Sequence, residues 1–412
     1  MKRKYILIAF VLIFVSLFLV FKFPMAQSNN KKGLAFFQKQ DYLHAEANFK
    51  RALFFEHNYR DAIINLVRTQ LMLNKTNESK EGINRLIAIA PHEASTFELY
   101  GQWLIKTKDY AGAAEQLKNA IEIDSTRSDA FYFRAIARAN LNDLSGAASD
   151  YLKAQSLDKS NVEALKQGAA LYSRLENYQA AIENYNKLLE LDPSNAEAFL
   201  QRGNFKMKIG DFTNAIEDFN KTITLKPDNS EAYFNRGISN AKSQNFEKAI
   251  KDFEEAINKK YKTAGANYNL GLAYLNLKQP DNAEKYLQSY LKENPQDNNT
   301  ANAFQLLGTL ELMKNNNLQA IKYFTRSLQI DSVNKETYFN RGLAYGYLKE
   351  YQKAFDDLNK CIQLGYNSAD VYFARGVQNI NLKDFKSGCN DFTKAADLGY
   401  AQAKDMLLMY CK

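Results

Sequence analysis

The feature that most constrains this 412-residue chain is that it repeats itself every 34 residues. EAYFNRGISNAKSQNFEKAIKDFEEAI (231–257) aligns with ETYFNRGLAYGYLKEYQKAFDDLNKCI (336–362), and both align with AEAFLQRGNFKMKIGDFTNAIEDFNKTITLKPDN (196–229). Counted from Ala26, eleven units follow: 26–59, 60–93, 94–127, 128–161, 162–195, 196–229, 230–263, 264–297, 301–334, 335–368 and 369–402. Only Asn298, Asn299 and Thr300 fall outside, and 403–412 forms a last half-unit that predicts a capping helix. Within each unit apolar residues recur at three- and four-residue steps, the helical period. Turns such as Asp41-Tyr42, Asp109-Tyr110, Asn177-Tyr178 and Asp211-Phe212 split the unit into two helices. One such pair cannot bury its apolar face alone, so neighbouring pairs must stack.

Small residues mark where the two helices approach. The first helix carries Gly33, Gly101, Ala135, Ala169, Gly203, Gly237, Gly271, Gly308, Gly342 and Gly376 in one column, with Val67 the exception. The second helix carries Ala45, Ala113, Ala147, Ala181, Ala215, Ala249, Ala283, Ala320 and Ala354, with Ser79 and Gly388 completing the column. Four residues later comes a large apolar side chain, from Phe49 to Phe392. These columns, with Pro91, Pro193, Pro227 and Pro295 closing units, resemble the tetratricopeptide-repeat family over essentially the whole chain after its N-terminal segment. The resemblance implies an all-α, right-handed α-α superhelix, a solenoid whose first helices line a concave groove that binds protein or peptide. The second unit fits least well, through Val67, Thr76 and Ser79, and ENPQDNNTA (293–301) is the one interruption and the expected flex point.

Residues 1–25 are different. Lys2, Arg3 and Lys4 precede the uncharged apolar run Ile6–Phe21, which fits either a cleaved signal peptide or an uncleaved membrane anchor. Either way the basic end stays cytoplasmic and the rest is expected outside, in the periplasm or cell envelope. GCNDFTKAADLGYAQAKDMLLMYCK at the C-terminus resembles the ends of exported tetratricopeptide proteins from Bacteroidetes-type bacteria.

Net charge is +8, of which the N-terminal segment supplies half. The remainder lacks the concentrated basic stripe that nucleic acid requires, so nucleic acid is not an expected partner. No nucleotide-loop, nucleophile-elbow or zinc-protease motif occurs, and no residues are left over for a catalytic domain. His44, His57 and His92 lie far from Cys361, Cys389 and Cys411, so no metal or cofactor is expected and the chain reads as a non-enzyme. It reads instead as a scaffold for a protein or peptide partner. The alternative is a self-assembling, homo-oligomeric envelope protein.

Three sets of residues follow from comparing the units. The groove-facing column gives Tyr132, Leu200, Phe234, Tyr268, Phe339 and Phe373, followed one turn later by Ile136, Asn204, Ile238, Leu272, Leu343 and Val377. This stripe is either a partner site or packing between repeats. No three consecutive repeats carry the Lys and Asn set with which chaperone-binding family members grip a C-terminal carboxylate; Lys166, for example, is followed by Ala170. Five units carry Arg134, Arg202, Arg236, Arg341 and Arg375, each with an Asp sixteen residues later: Asp150, Asp218, Asp252, Asp357 and Asp391. The other six units have neither residue. The two positions are equally far from the turn, which predicts intra-repeat ion pairs. Cys389 and Cys411 are each eleven residues from the turn near Tyr400, which predicts a disulfide or a close approach. Cys361 falls in a packing column and is expected to be a buried thiol.

Overall fold

The computed structural model describes residues 21–293, 295 and 297–411, and among these every regular element is helical. The chain divides into two compact units, Met1–Ile209 and Gly210–Lys412. The first unit contains α1 (21–38), α2 (Tyr42–Phe55), α3 (Arg60–Met72), α4 (Thr76–Ile89), α5 (Ala94–Lys106) and α6 (Tyr110–Ile123). It continues with α7 (Ser128–Asn140), α8 (Leu144–Leu157), α9 (Val162–Arg174), α10 (Tyr178–Leu191) and α11 (Ala196–Lys208). The second unit contains α12 (Phe212–Leu225), α13 (Ser230–Lys242), α14 (Phe246–Asn258), α15 (Thr263–Asn276), α16 (Pro280–Lys292) and α17 (Thr300–Met313). It ends with α18 (Asn317–Ile330), α19 (Lys335–Tyr347), α20 (Tyr351–Gln363), α21 (Ala369–Asn381), α22 (Phe385–Asp397) and α23 (Ala401–Tyr410). Each unit is thus an all-α stack of helix hairpins. The terminal helix starts two residues earlier than the half-unit at 403.

The helices begin and end for local reasons. A residue with φ between 55° and 79° closes the first helix of every repeat, and in all but one case it is not glycine. A left-handed residue just past a helix end is the common way to satisfy its last carbonyls. The next residue is then an N-cap: Asp109, Asp143, Asn177 and Asp384 each accept the amide of the third residue that follows. The Asp/Asn-aromatic turns of the sequence are therefore cap followed by first helical residue.

The small-residue columns act through close approach. A Cβ on Gly308 would lie 2.6 Å from the Phe324 ring, and one on Gly376 would lie 2.8 Å from Phe392. Phe324 and Phe392 are fully buried. The second repeat reaches the same end by another route. Val67 fills the small position, and Gly82 on the facing helix makes room for it, since a Cβ on Gly82 would collide with the Val67 side chain. Val67, Ile63, Ile83 and Leu86 then form one core with Phe49 and Leu99.

The described residues of the 293–301 interruption are tied to one another and to α16 by hydrogen bonds. Tyr290, fully buried, donates its hydroxyl hydrogen to Asp297. Thr300 Oγ1 donates to the Pro295 carbonyl at 3.0 Å, and Asp297 accepts the Asn299 amide at 2.8 Å. The division between compact units lies elsewhere, in the turn after α11.

Most of the apolar run at 6–21 lies outside the described residues. The described residues open with α1, which runs unbroken through Pro24 and buries Ala26 fully. Among the described residues no helix is long and apolar enough to cross a membrane.

Candidate functional site

The arginines of four units meet their aspartates. Arg134 Nε and Nη2 donate to Asp150 at 2.8 and 2.7 Å. Arg341 does the same to Asp357 at 2.7 and 2.8 Å, and Arg375 to Asp391 at 3.0 and 2.7 Å. Arg236 Nη2 reaches Asp252 at 2.6 Å. The aspartates are 3–7% exposed. A carboxylate so far from water requires charged donors, and the two-pronged guanidinium supplies them. Arg202 and Asp218 belong to different compact units. Asp218 is buried, and Arg202 Nη1 donates to Asn186 at 2.7 Å within the first.

Three further columns surround these pairs, and comparison of the repeats by Arg and Asp alone misses them. Each of the five arginines lies 5.4–5.8 Å from the ring of the aromatic residue three positions earlier, from Phe131 to Tyr372. The free Nη1 of Arg236, Arg341 and Arg375 donates to Asn220, Thr325 and Asn359, on the second helix of the preceding repeat. One turn after the arginine, Arg138, Asn240 and Asn379 add a third donor to Asp150, Asp252 and Asp391, at 2.8, 2.9 and 2.9 Å. Each arginine with all these partners ties three helices together. In repeat 335–368 the third donor is replaced by Tyr345. Burial opposes charge on both members of that pair. The hydrogen bonds from Arg341 to Asp357 still hold the guanidinium above its ordinary range, whereas burial, the larger effect on Asp357, lifts its carboxyl above the usual value.

The groove-facing column splits. Leu200, Phe234 and Tyr268 are 3%, 6% and 8% exposed, so they pack repeats together and offer no surface, contrary to the groove reading. Phe234 is enclosed by Phe253, Tyr261 and α15, and Tyr268 by Tyr290 and Asn302, whose amide donates to its hydroxyl at 2.7 Å. Tyr132, Ile136, Asn204, Ile238, Leu272, Phe339, Leu343, Phe373 and Val377 remain half-buried. Of these, Phe339, Leu343, Phe373 and Val377 line one concave pocket of about 390 Å³ between α19, α21 and Tyr400. Its walls also include Gly346, Tyr347, Asp370, Gln378 and Asn381, none of which the column had named. The signal was present in the sequence: Gly346 occupies a place that Leu275 and Ile380 fill in other first helices. In the first unit a pocket of about 480 Å³ sits at the corresponding face of α9 and α11, lined by Lys166, Ala170, Glu197, Gln201 and Phe205.

Cys389 and Cys411 are joined in a disulfide with Cα atoms 5.7 Å apart, which fastens α23 to α22. Cys361 is a buried free thiol that donates to the Lys335 carbonyl at 3.2 Å. Burial, with Asp370 nearby, pushes its pKa up to about 12. Among the described residues no group of three or more His, Cys, Asp or Glu side chains is placed to hold a metal ion.

The tetratricopeptide-repeat family matches this chain at residues 200–260, 234–298 and 335–364, and a TPR-repeat description matches 168–210. The chain belongs to the tetratricopeptide-repeat family. Members of this family are in general non-catalytic scaffolds that bind protein or peptide partners, and the repeats support a protein-interaction scaffold here. No curated protein matches it. Similar solved structures include the C-terminal part of a TPR repeat-containing protein from Cytophaga hutchinsonii. It is 18% identical, covers 58% of this chain and 98% of its own, and has a TM-score of 0.48. The structure described as the functional characterization of Pseudomonas aeruginosa pilF is 18% identical, covers 51% and 96%, and has a TM-score of 0.44. YrrB, described as a TPR protein with an unusual peptide-binding site, is 21% identical, covers 44% and 93%, and has a TM-score of 0.40.

Proposed function

We propose that this tetratricopeptide protein holds a segment of a partner polypeptide against the first-helix face of its repeats, and does so outside the cytoplasm. The observation that carries the first part is the pocket between α19 and α21. Four half-buried apolar side chains, Phe339, Leu343, Phe373 and Val377, converge there on one concavity beside a few polar groups. A concave, mainly apolar site with a small number of polar groups is what recognition of a peptide side chain demands. The extracytoplasmic part is supported by the order of charge and apolarity in residues 2–21 and by the Cys389–Cys411 pairing, which suits an oxidising compartment.

A photo-crosslinking residue in place of Phe373 should join the protein to a different polypeptide in intact cells. The same residue in place of the exposed Phe385 on α22 should not. A product containing only a second copy of this chain would favour a homo-oligomer, and equal crosslinking from both positions would sink the groove assignment. A phosphatase joined to the C-terminus should be active; an inactive fusion beside an active cytoplasmic reporter would remove the proposed location.

A further inference from the structure

The first turn of a helix favours carboxylates, because its free amides and macrodipole are positive there. Among the described residues seven first helices carry one in that turn, from Asp61 to Asp370. That row by itself says nothing about a ligand. Asp370 stands apart through its surroundings. It lines the pocket between α19 and α21, and no Lys, Arg or His lines it. Asp370 makes no ion pair among the described residues, and its Oδ1 accepts the amide of Val371 at 3.0 Å. Lys335 stands 5.6 Å over the ring of Tyr366 and is paired with neither Asp370 nor Glu336.

A second observation is independent of the carboxylate. Gln378 lines the same pocket and is 6% exposed. Its Nε2 donates to the Ala374 carbonyl at 3.2 Å, but its Oε1 is buried without a hydrogen-bond partner. A buried acceptor left unpaired costs stability, and a donor entering the pocket would relieve that cost. The last torsion of a glutamine is broad, so the amide can turn toward such a donor. The pocket is therefore rich in acceptors, lined by no cation, and walled by the aromatic side chains Phe339 and Phe373. Aromatic faces attract cations, and apolar walls suit an aliphatic stem.

We propose that this pocket takes the basic side chain, lysine or arginine, of a partner polypeptide. Its stem lies between Phe339 and Phe373 and its charged head pairs with the Asp370 carboxylate, while Gln378 Oε1, two turns along α21, accepts a backbone amide of the same segment. This rests on the scaffold reading above and names the chemistry of the segment that the scaffold holds.

The test is selection of a random twelve-residue peptide library, displayed on phage, on the full chain in mild detergent. Gly346→Leu serves as the counter-selection, since a Cβ at Gly346 would lie 3.1 Å from Gln378 Nε2 and a leucine would fill the pocket. Enriched peptides should carry Lys or Arg at one shared position. Their affinity, read by fluorescence anisotropy, should fall about ten-fold in Asp370→Asn and in Gln378→Leu. Replacing the shared basic residue by norleucine should cost a similar factor. Circular dichroism melts establish that the variants fold. Enriched peptides that are uniformly apolar or acidic would overturn the basic specificity while leaving the groove assignment in place. Enrichment on the parent and on Gly346→Leu alike, or a chain that elutes as a dimer and enriches nothing, would overturn both.

Discussion

Repeats 128–161 and 335–368 carry the same buried pair in different settings. In the first, Asp150 accepts two hydrogen bonds from Arg134 and a third from Arg138. In the second, Asp357 accepts two from Arg341, and the place of Arg138 is taken by Tyr345, whose ring lies 5.9 Å from that guanidinium. Both aspartates are nearly inaccessible to water. In repeat 335–368, where no Arg or Asn stands one turn after Arg341, burial lifts the Asp357 carboxyl above its usual value. Such pairs specify which helix faces which more than they add net stability.

The largest effect expected from this comparison is at Asp150. Asp150→Ala strands the Arg134 guanidinium, takes from Arg138 one of its two carboxylate partners, and should cost about 3–5 kcal/mol in urea unfolding. Asp357→Ala strands only the Arg341 guanidinium and should cost about 1–2 kcal/mol less. Equal losses would mean that the third donor is irrelevant.

A gain is expected from Tyr345→Asn, which supplies the donor that Asn240 and Asn379 give their own aspartates at 2.9 Å. Stabilisation of about 1 kcal/mol should follow, and net destabilisation would show that the ring over Arg341 matters more.

The smallest effect is in pH dependence. The folded-state pKa of Asp357 lies above its ordinary 3.8, so between the two values the folded chain binds the proton more readily than the unfolded chain. Its contribution to stability is complete below the ordinary value and is lost as pH rises through the raised one. Asp357→Asn should remove that fall, and Tyr345→Asn should shrink it. A pH profile identical in all three proteins would contradict the assignment.

Much of this was legible in the sequence because repetition turns one chain into its own set of comparisons. The co-occurrence of Arg and Asp at two positions in the same five units located the buried pairs, since a buried charge cannot be kept without its partner. The equal distance of Cys389 and Cys411 from Tyr400 placed them level on α22 and at the end of α23, because antiparallel helices rise equally on either side of a turn. The compensation of Val67 by Gly82 was not legible. The two residues stand on different helices, and only their facing positions explain them.

What the sequence determined by itself is the local periodicity: where helices begin, which columns are small, and which charges must be buried together. Tertiary structure alone decided which members of an apolar stripe are surface. Phe234 and Phe339 share a column, yet Phe234 is shut in by Phe253 and Tyr261 while Phe339 borders an open concavity. That outcome depends on side chains one and two turns away on neighbouring helices, such as the missing side chain of Gly346. Burial is a property of all the groups that converge on a point, and a single column records only one of them.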